Sequence, residues 1–375
     1  MKHLYKLSIL LLLFPALLAA GPEDGKYTKS KKISKTFNVN KNCLVAIQNE
    51  FGSVSITTWD SPIVSIDITV EVSGDNEDRV INQIKGIDVD FEANASKVSA
   101  ITDAEHSSNN SGGLWNLLFG SDSNRSSNMK IDYIIKMPVT ASLDLSNDYG
   151  AVILDKLKGR ATIKCNFGRL DIGQLLAENN DLKFDYTNNS HIDYMKSGNI
   201  KADFSGFELY GSEKVTYNGD YTKASFHDVK ILDFNGDFST LQIDEVMELV
   251  GRGDYTTIKI GNINELVNLN TDFGSISIAE LGRDFKEVTI KSEYTGIKIN
   301  YHPEASFRFD IDTEYSSIKL SDDLTVTSSK SGSTDKQKSG YSGQKGGTAL
   351  ISIRSSFGGV TLESQLVSEL KIKTK

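Results

Sequence analysis

Ten acidic side chains stand immediately before an aromatic that is itself followed by Gly, Ser or Thr: Glu50, Asp148, Asp185, Asp203, Asp220, Asp237, Asp254, Asp272, Glu293 and Glu314. Asn166 and Ser356 hold the same place before Phe167 and Phe357. Carboxylates repeated in this way can accept backbone N–H groups at a bend, as in an Asx-turn. They can also form a strip for cations or a cationic polymer, or act as the acid and base pair of a glycoside hydrolase. Two unit charges one strand spacing apart repel by about 0.9 kcal/mol in water and far more in a dry site. A column of such groups is tolerable only when wet or neutralised. Asp203, Asp220, Asp237, Asp254 and Asp272 form the most regular run and are the candidate binding ladder.

Other chemistry finds little support. The acids are spread one per unit instead of clustering, and the chain has no Gly-x-Ser-x-Gly elbow, no His-Glu-x-x-His and no phosphate-cradling glycine loop. No catalytic residue is assigned, and a polysaccharide-active β-helix enzyme is the alternative to a non-catalytic reading. The five histidines have no ligand spacing, His191 and His227 read as solvated strand or turn residues, and no metal or cofactor is expected. The glycine-rich nonapeptide of calcium-binding β-rolls is absent.

The elements that must carry these acids repeat. The aromatics are Phe51, Tyr149, Phe167, Tyr186, Phe204, Tyr221, Phe238, Tyr255, Phe273, Tyr294, Tyr315 and Phe357, and from Tyr149 to Tyr315 they follow at intervals of 17 to 21 residues. Such a period predicts an all-β parallel solenoid, or β-helix, with coils of about 18 to 20 residues. Within a unit, Ala161, Ile163, Cys165 and Phe167 share one parity while Thr162, Lys164 and Asn166 take the other, which is strand alternation. The parity changes after the aromatic, at Gly, Ser or Thr, where a small residue suits a bend. This reading points the acids outward and stacks the aromatic rings as an internal column. Tyr and Phe alternate from Tyr149 to Tyr294, so a turn could hold one unit or two; one per turn is favoured. A lone coil buries too few side chains to offset its ordering entropy and leaves its edges unpaired, so units must stack.

Arg252-Gly253-Asp254 spells a tripeptide that serves as an integrin signal in some extracellular proteins. Asp254 is a rung of the repeat, and Gly253 matches Gly219 and Gly236 in the two preceding units. The repeat explains two of the three letters and argues against an adhesive tripeptide.

Residues 1–20 have the layout of a secretory signal peptide, with Lys2 and Lys6 before the apolar run Leu7 to Leu18. The formal net charge of −9 becomes −11 when both lysines are removed, a sign that disfavours nucleic acid and anionic lipid. No later segment is apolar enough to span a bilayer, so no transmembrane span is expected after cleavage. Residues 21–35 read as a flexible lead-in and 36–140 as an N-terminal β cap with one short helix carrying Val80, Ile81 and Ile84. Residues 105–129 read as a mobile insert, 141–320 as the regular array, 327–348 as a second mobile loop, and 349–375 as closing strands and a tail. The insert carries an apolar island, Leu114, Trp115, Leu117, Leu118 and Phe119, which is either a partner contact or a lid folded back on the solenoid. Cys43 and Cys165 fall at inward positions and read as core residues, with a disulfide as the alternative.

The order "TFNVNKNCLVAIQNEFGSVSITTWDSPIVSIDITVEV", then "KIDYIIKMPVTASLDLSNDYGAVILDKLKGRATIKCNFGRLDI", resembles the bacterial putative-adhesin domain family. The strand ending at Trp59 and Asp60, the "DYIIKMP" strand into Pro138 and the following units carry the resemblance, over most of residues 36–320. It implies an exported β-solenoid at the cell envelope of a Gram-negative-like bacterium, in the periplasm, at the outer-membrane surface or outside the cell. An adhesin-like binding or scaffold role, with an envelope glycan or protein as partner, is the corresponding expectation. The use of Ser or Thr after many aromatics departs from the glycine-rich pattern of that family.

Overall fold

Period-two runs separated by small or polar residues fold as strands, and the computed structural model contains little else. It describes residues 25–103, 128–345 and 347–365, in 26 strands and one helix. The expected signal peptide, the island Leu114 to Phe119 and most of the insert containing it lie outside the described residues, as does the C-terminal tail. The chain is all-β and solenoid-like, and it divides into two compact units, residues 1–159 with 163–168, and 160–162 with 169–375.

In the first unit, the coil Leu44–Glu50 and Val54–Trp59 lies in parallel register against Ser142–Asp148 and Ala151–Leu157, although about a quarter of the chain separates them. The intervening residues build the cap. Asn128–Pro138 runs parallel to Val54–Trp59 and antiparallel to Ile63–Gly74, which pairs in turn with Tyr27–Asn38. The helix Glu77–Gly86 packs on this sheet. It starts at Asn76, whose side chain accepts the Arg79 N–H at 3.0 Å and so satisfies an otherwise orphaned donor. Val80 is buried at its base, while Ile81 and Ile84 are only half covered.

The expectation of a flexible lead-in is corrected here. Tyr27–Asn38 is a twelve-residue strand with every residue paired to Ile63–Gly74. Its lysines do not prevent this, because alternate ones lay their stems along covered surface and keep their charge wet. Lys29 reaches Glu77 at 2.9 Å, Lys31 donates to the Ile87 carbonyl, and Lys35 lies over the Phe91 ring.

Tyr133 is fully enclosed beneath the cap, its hydroxyl 2.7 Å from Thr102 Oγ1. Burial pushes its phenol up to about 12, the Thr102 bond offsetting only part of the rise. Burial likewise raises Tyr217 and Tyr301 of the other unit. Above a pH of about 10 the unfolded chain releases these protons while the folded chain keeps them, so stability falls as pH rises from about 10 towards 12. Melting temperatures across that window should drop, and Tyr133→Phe should flatten the drop for the first unit. A flat profile in the parent chain would contradict this linkage.

In the second unit the register fixes one sequence unit per turn. Gly206 pairs with Lys223, Lys223 with Thr240 and Thr240 with Thr257, each step advancing one repeat. The step widens where the aromatic spacing widens: Thr257 meets Ser275, and Ser275 meets Gly296. Inward positions of one coil are Phe207, Leu209, Ser212, Val215, Tyr217, Gly219 and Thr222. Two adjacent outward residues mark each corner, at 210–211, 213–214 and 220–221.

Two further expectations change. The polar segment 327–348 is mostly a hairpin, Thr325–Ser331 against Asp335–Ser342, with the second strand antiparallel to Phe307–Glu314. Ser- and Lys-rich sequence can do this because backbone pairing on a coil edge needs no buried face. The C-terminal strands do not close the array at its end. Ala349–Ser356 inserts between Glu287–Glu293 and Phe307–Glu314, parallel to both, and Val360–Ser364 inserts between Gly296–Tyr301 and Ile318–Leu320. The last coil in sequence is therefore not the last in space. Cys43 and Cys165 are both buried, and no disulfide joins them.

Candidate functional site

The internal ring column is overturned. All twelve repeat aromatics adopt the left-handed conformation, with φ between 49° and 63°, and all are partly exposed, those from Tyr186 to Tyr315 by about half. Alternation breaks at the aromatic: Cys165 is buried, but Asn166 and Phe167 both face outward. A parity change requires two consecutive outward residues, and the aromatic is the second of them. The core is filled instead by residues such as Phe184, Phe207, Tyr217, Phe226 and Phe234.

Outside, the rings form a column. Tyr186, Phe204, Tyr221, Phe238, Tyr255, Phe273, Tyr294, Phe357 and Tyr315 follow one another with centroids 4.6 to 5.1 Å apart and planes within 8° of parallel. Phe51, Tyr149 and Phe167 form a like stack in the first unit, at 5.2 and 5.0 Å. The stacking holds the ring faces against one another and leaves mainly edges and tyrosine hydroxyls to solvent. The backbone locks the bend, since the Phe204, Tyr221 and Phe238 amides donate to the Asp220, Asp237 and Asp254 carbonyls of the next coil.

Beside the rings, Asp203, Asp220, Asp237, Asp254 and Asp272 come together in one column, as their spacing predicts. Each of the first three accepts the amide of the next rung through Oδ1: Asp220 N–H on Asp203 at 3.0 Å, Asp237 on Asp220 at 2.9 Å and Asp254 on Asp237 at 2.8 Å. Asp272 takes the Glu293 amide at 2.7 Å. The carboxylates thus cap backbone N–H groups, but across coils instead of within their own bend. Their repulsion is tolerated because the column is at least partly wet.

Sequence reasoning missed a third column. Thr187, Ser205, Thr222, Ser239, Thr256 and Thr295, each next after its aromatic, are buried, and their hydroxyls bridge coils. Thr222 Oγ1 donates to the Ala202 carbonyl at 2.8 Å and accepts the Ser205 amide at 3.3 Å, while Ser239 Oγ accepts the Thr222 amide at 3.1 Å. The signal was the run of Ser and Thr at positions where packing alone would have been served by alanine.

The tripeptide Arg252-Gly253-Asp254 lies inside the strand Thr240–Asp254, with Gly253 buried and all three residues paired to the next coil. Arg252 Nε donates to Asn235 Oδ1 at 3.1 Å. The geometry is that of a ladder and not of a presented loop.

Two other places gather polar groups. His191 lies 2.8 Å from Asp193 and His227 2.7 Å from Asp244, with Tyr210 packed between the two imidazoles. A cleft of about 790 Å³ lies beside the end of the acid column, lined by Asp272, Glu293 and Glu314 on one side and Lys330, Asp335 and Gln337 of the hairpin on the other. Among the described residues no group of three or more His, Cys, Asp or Glu is placed to hold a metal ion. Among them, too, no helix is long and apolar enough to cross a membrane.

No family model matches the chain, and no curated protein matches it. Solved structures with a detectable likeness include a putative cell adhesion protein from Clostridium sporogenes, 10% identical, with a TM-score of 0.18, covering 90% of this chain and 100% of that one. A putative adhesin from Parabacteroides distasonis is 11% identical, with a TM-score of 0.29, covering 72% of this chain and 93% of its own. A third, a putative adhesin from Bacteroides fragilis, is 9% identical, with a TM-score of 0.18 and coverages of 89% and 97%. Likenesses of that size leave function to be argued from the geometry.

Proposed function

We propose that the chain is an exported, non-catalytic binding scaffold of the cell envelope, adhesin-like in use, that engages a repetitive partner such as an envelope glycan. The observation that carries this reading is the column of Asp rungs, one per coil, beside a column of ring edges and tyrosine hydroxyls. A group repeated at every coil suits weak contacts summed along a repetitive ligand, where linked sites multiply a small individual affinity. The stacked rings hide their faces, so sugar contact here runs through carboxylate oxygens, hydroxyls and ring edges instead of a flat aromatic platform.

The test uses Asp220→Asn, Asp237→Asn and Asp254→Asn together. Asparagine keeps the Oδ1 that caps the next amide and removes only charge, so the fold should survive with its melting temperature within about 2 °C of the parent. Retention on glycan arrays and whole cells should fall at least about tenfold, as expected when several weak contacts are lost at once. Equal retention of the parent and the triple variant would reject the reading.

A further inference from the structure

The ring column is an unusually large apolar surface for a chain that stands alone. Nine rings from Tyr186 to Tyr315 lie on one line in the second unit, each exposed by about half. At roughly 150 to 250 Å² per aromatic side chain, they present on the order of 700 to 1,100 Å² of contiguous, largely apolar surface. The largest patch on an ordinary monomer is about 300 to 600 Å², and a stable protein pair needs about 800 Å² from each partner. The exposed area of the column is of that order, and the residues flanking it on either side complete the contact.

We propose that this column is the contact face of a homodimer, in which two copies pair ring edge to ring edge along the second unit. A second copy is favoured because it has the same rung spacing. Any shift by whole coils that aligns one pair of rings aligns many, whereas a partner with another repeat would meet only a few.

Charge selects the arrangement. Going along each coil, the acid precedes the ring and a neutral or basic residue follows it two places on: Gly206, Lys223, Thr240, Thr257, Ser275 and Gly296. A two-fold axis parallel to the column sets the Asp edge of one copy against this second edge of its partner. An axis across the column would set Asp against Asp, rung after rung, which like-charge repulsion disfavours. The pair is therefore parallel, with each rung opposite its own counterpart. The Asp rungs then lie at the rim while the ring edges are covered, so in the dimer a glycan is held through the carboxylates, and the Asp→Asn and ring→Asn variants tell the two readings apart.

Sedimentation equilibrium of the purified chain up to about 100 μM should give twice the chain mass. Phe238→Asn with Tyr255→Asn should give the single mass, with at least about a tenfold weaker self-association constant. Asparagine is the chosen replacement because it tolerates left-handed backbone, as Asn179 and Asn189 do here at φ of 58° and 57°. Should that pair fail to fold, as judged by its β-sheet circular dichroism, Tyr221→Asn alone serves, with a smaller weakening. Orientation is read from Tyr186→Cys and Tyr294→Cys, each made singly; mild oxidation should link either variant to itself, the native thiols being buried. A monomeric parent chain overturns the proposal, as does a dimer indifferent to ring removal. Failure of both cysteine variants to link overturns it too, and retention on vesicles or glycans by a strictly monomeric chain would assign the face to that partner instead.

Discussion

Gly253→Ala should lower the melting temperature of the second unit by roughly 6 to 12 °C, whereas Gly296→Ala should leave it nearly unchanged. A methyl group on Gly253 would stand 2.0 Å from the Gly236 carbonyl oxygen and 3.0 Å from the carbonyl carbon of the preceding coil. Backbone cannot rotate away as a side chain can. The same oxygen accepts the buried Thr256 hydroxyl at 2.8 Å, so moving it strips a second coil-to-coil bond. Overpacking with loss of a buried bond costs about 3 kcal/mol or more. Ala202 occupies the corresponding place earlier in the column, but across Gly219, Gly236 and Gly253 the neighbouring carbonyls close to between 2.0 and 2.4 Å of where Cβ would sit. At Gly296 nothing lies within 4 Å. Thermal unfolding of the two variants side by side checks this; equal midpoints would mean that the coils can move apart without cost. One practical consequence concerns the Arg252-Gly253-Asp254 tripeptide. Changing its glycine would damage the fold, so loss of binding in that variant would say nothing about integrin-like recognition.

Much of this architecture is legible in the sequence because a solenoid repeats its own errors and its own rules. The aromatic spacing locates every coil from Tyr149 to Tyr315, and its widening after Phe273 is the widening of the ladder register between Ser275 and Gly296. The Asp rungs align for the same reason: one residue type at one phase of the period must form a column. Ring direction is not legible from hydropathy, since Phe and Tyr are core residues in most settings and rarely adopt positive φ. The available clue was geometric. An acid at Asp203 and a buried position at Ser205 leave Phe204 as the second of two outward residues, and that pair makes the change of parity. The strands at Tyr27–Asn38 and Thr325–Ser331 were hidden by composition, because both gain their order from backbone pairing and little from burial. The buried hydroxyl column was hidden by size, Ser and Thr being small enough to read as mere fillers.

Removal of residues 349–375 should unravel more than the part removed. In a simple stack, deleting the terminal coil exposes its neighbour and shortens the array by one step. Here the deleted strands are internal. Ala349–Ser356 is the parallel partner of both Glu287–Glu293 and Phe307–Glu314, and the Tyr294 and Tyr315 rings stack on either side of Phe357. Ile351, Ile353, Val360 and Leu362 are fully buried, each contributing about 1.5 to 3 kcal/mol of burial. Without them the coil 307–320 and the hairpin built on it lose their seat, although every residue of both remains in the chain. Limited proteolysis and hydrogen exchange should then show residues 302–345 cleaved and exchanged at least about tenfold faster than in the full chain, with Thr240–Asp254 unchanged. If the coil instead slides down one rung and docks directly on Glu287–Glu293, protection over 307–320 will persist and the inserted coil is dispensable. Persistence would also require Phe307 and Phe309 to occupy the places left by Ala349 and Ile351, an exchange of large rings for smaller aliphatics that a close-packed interior resists.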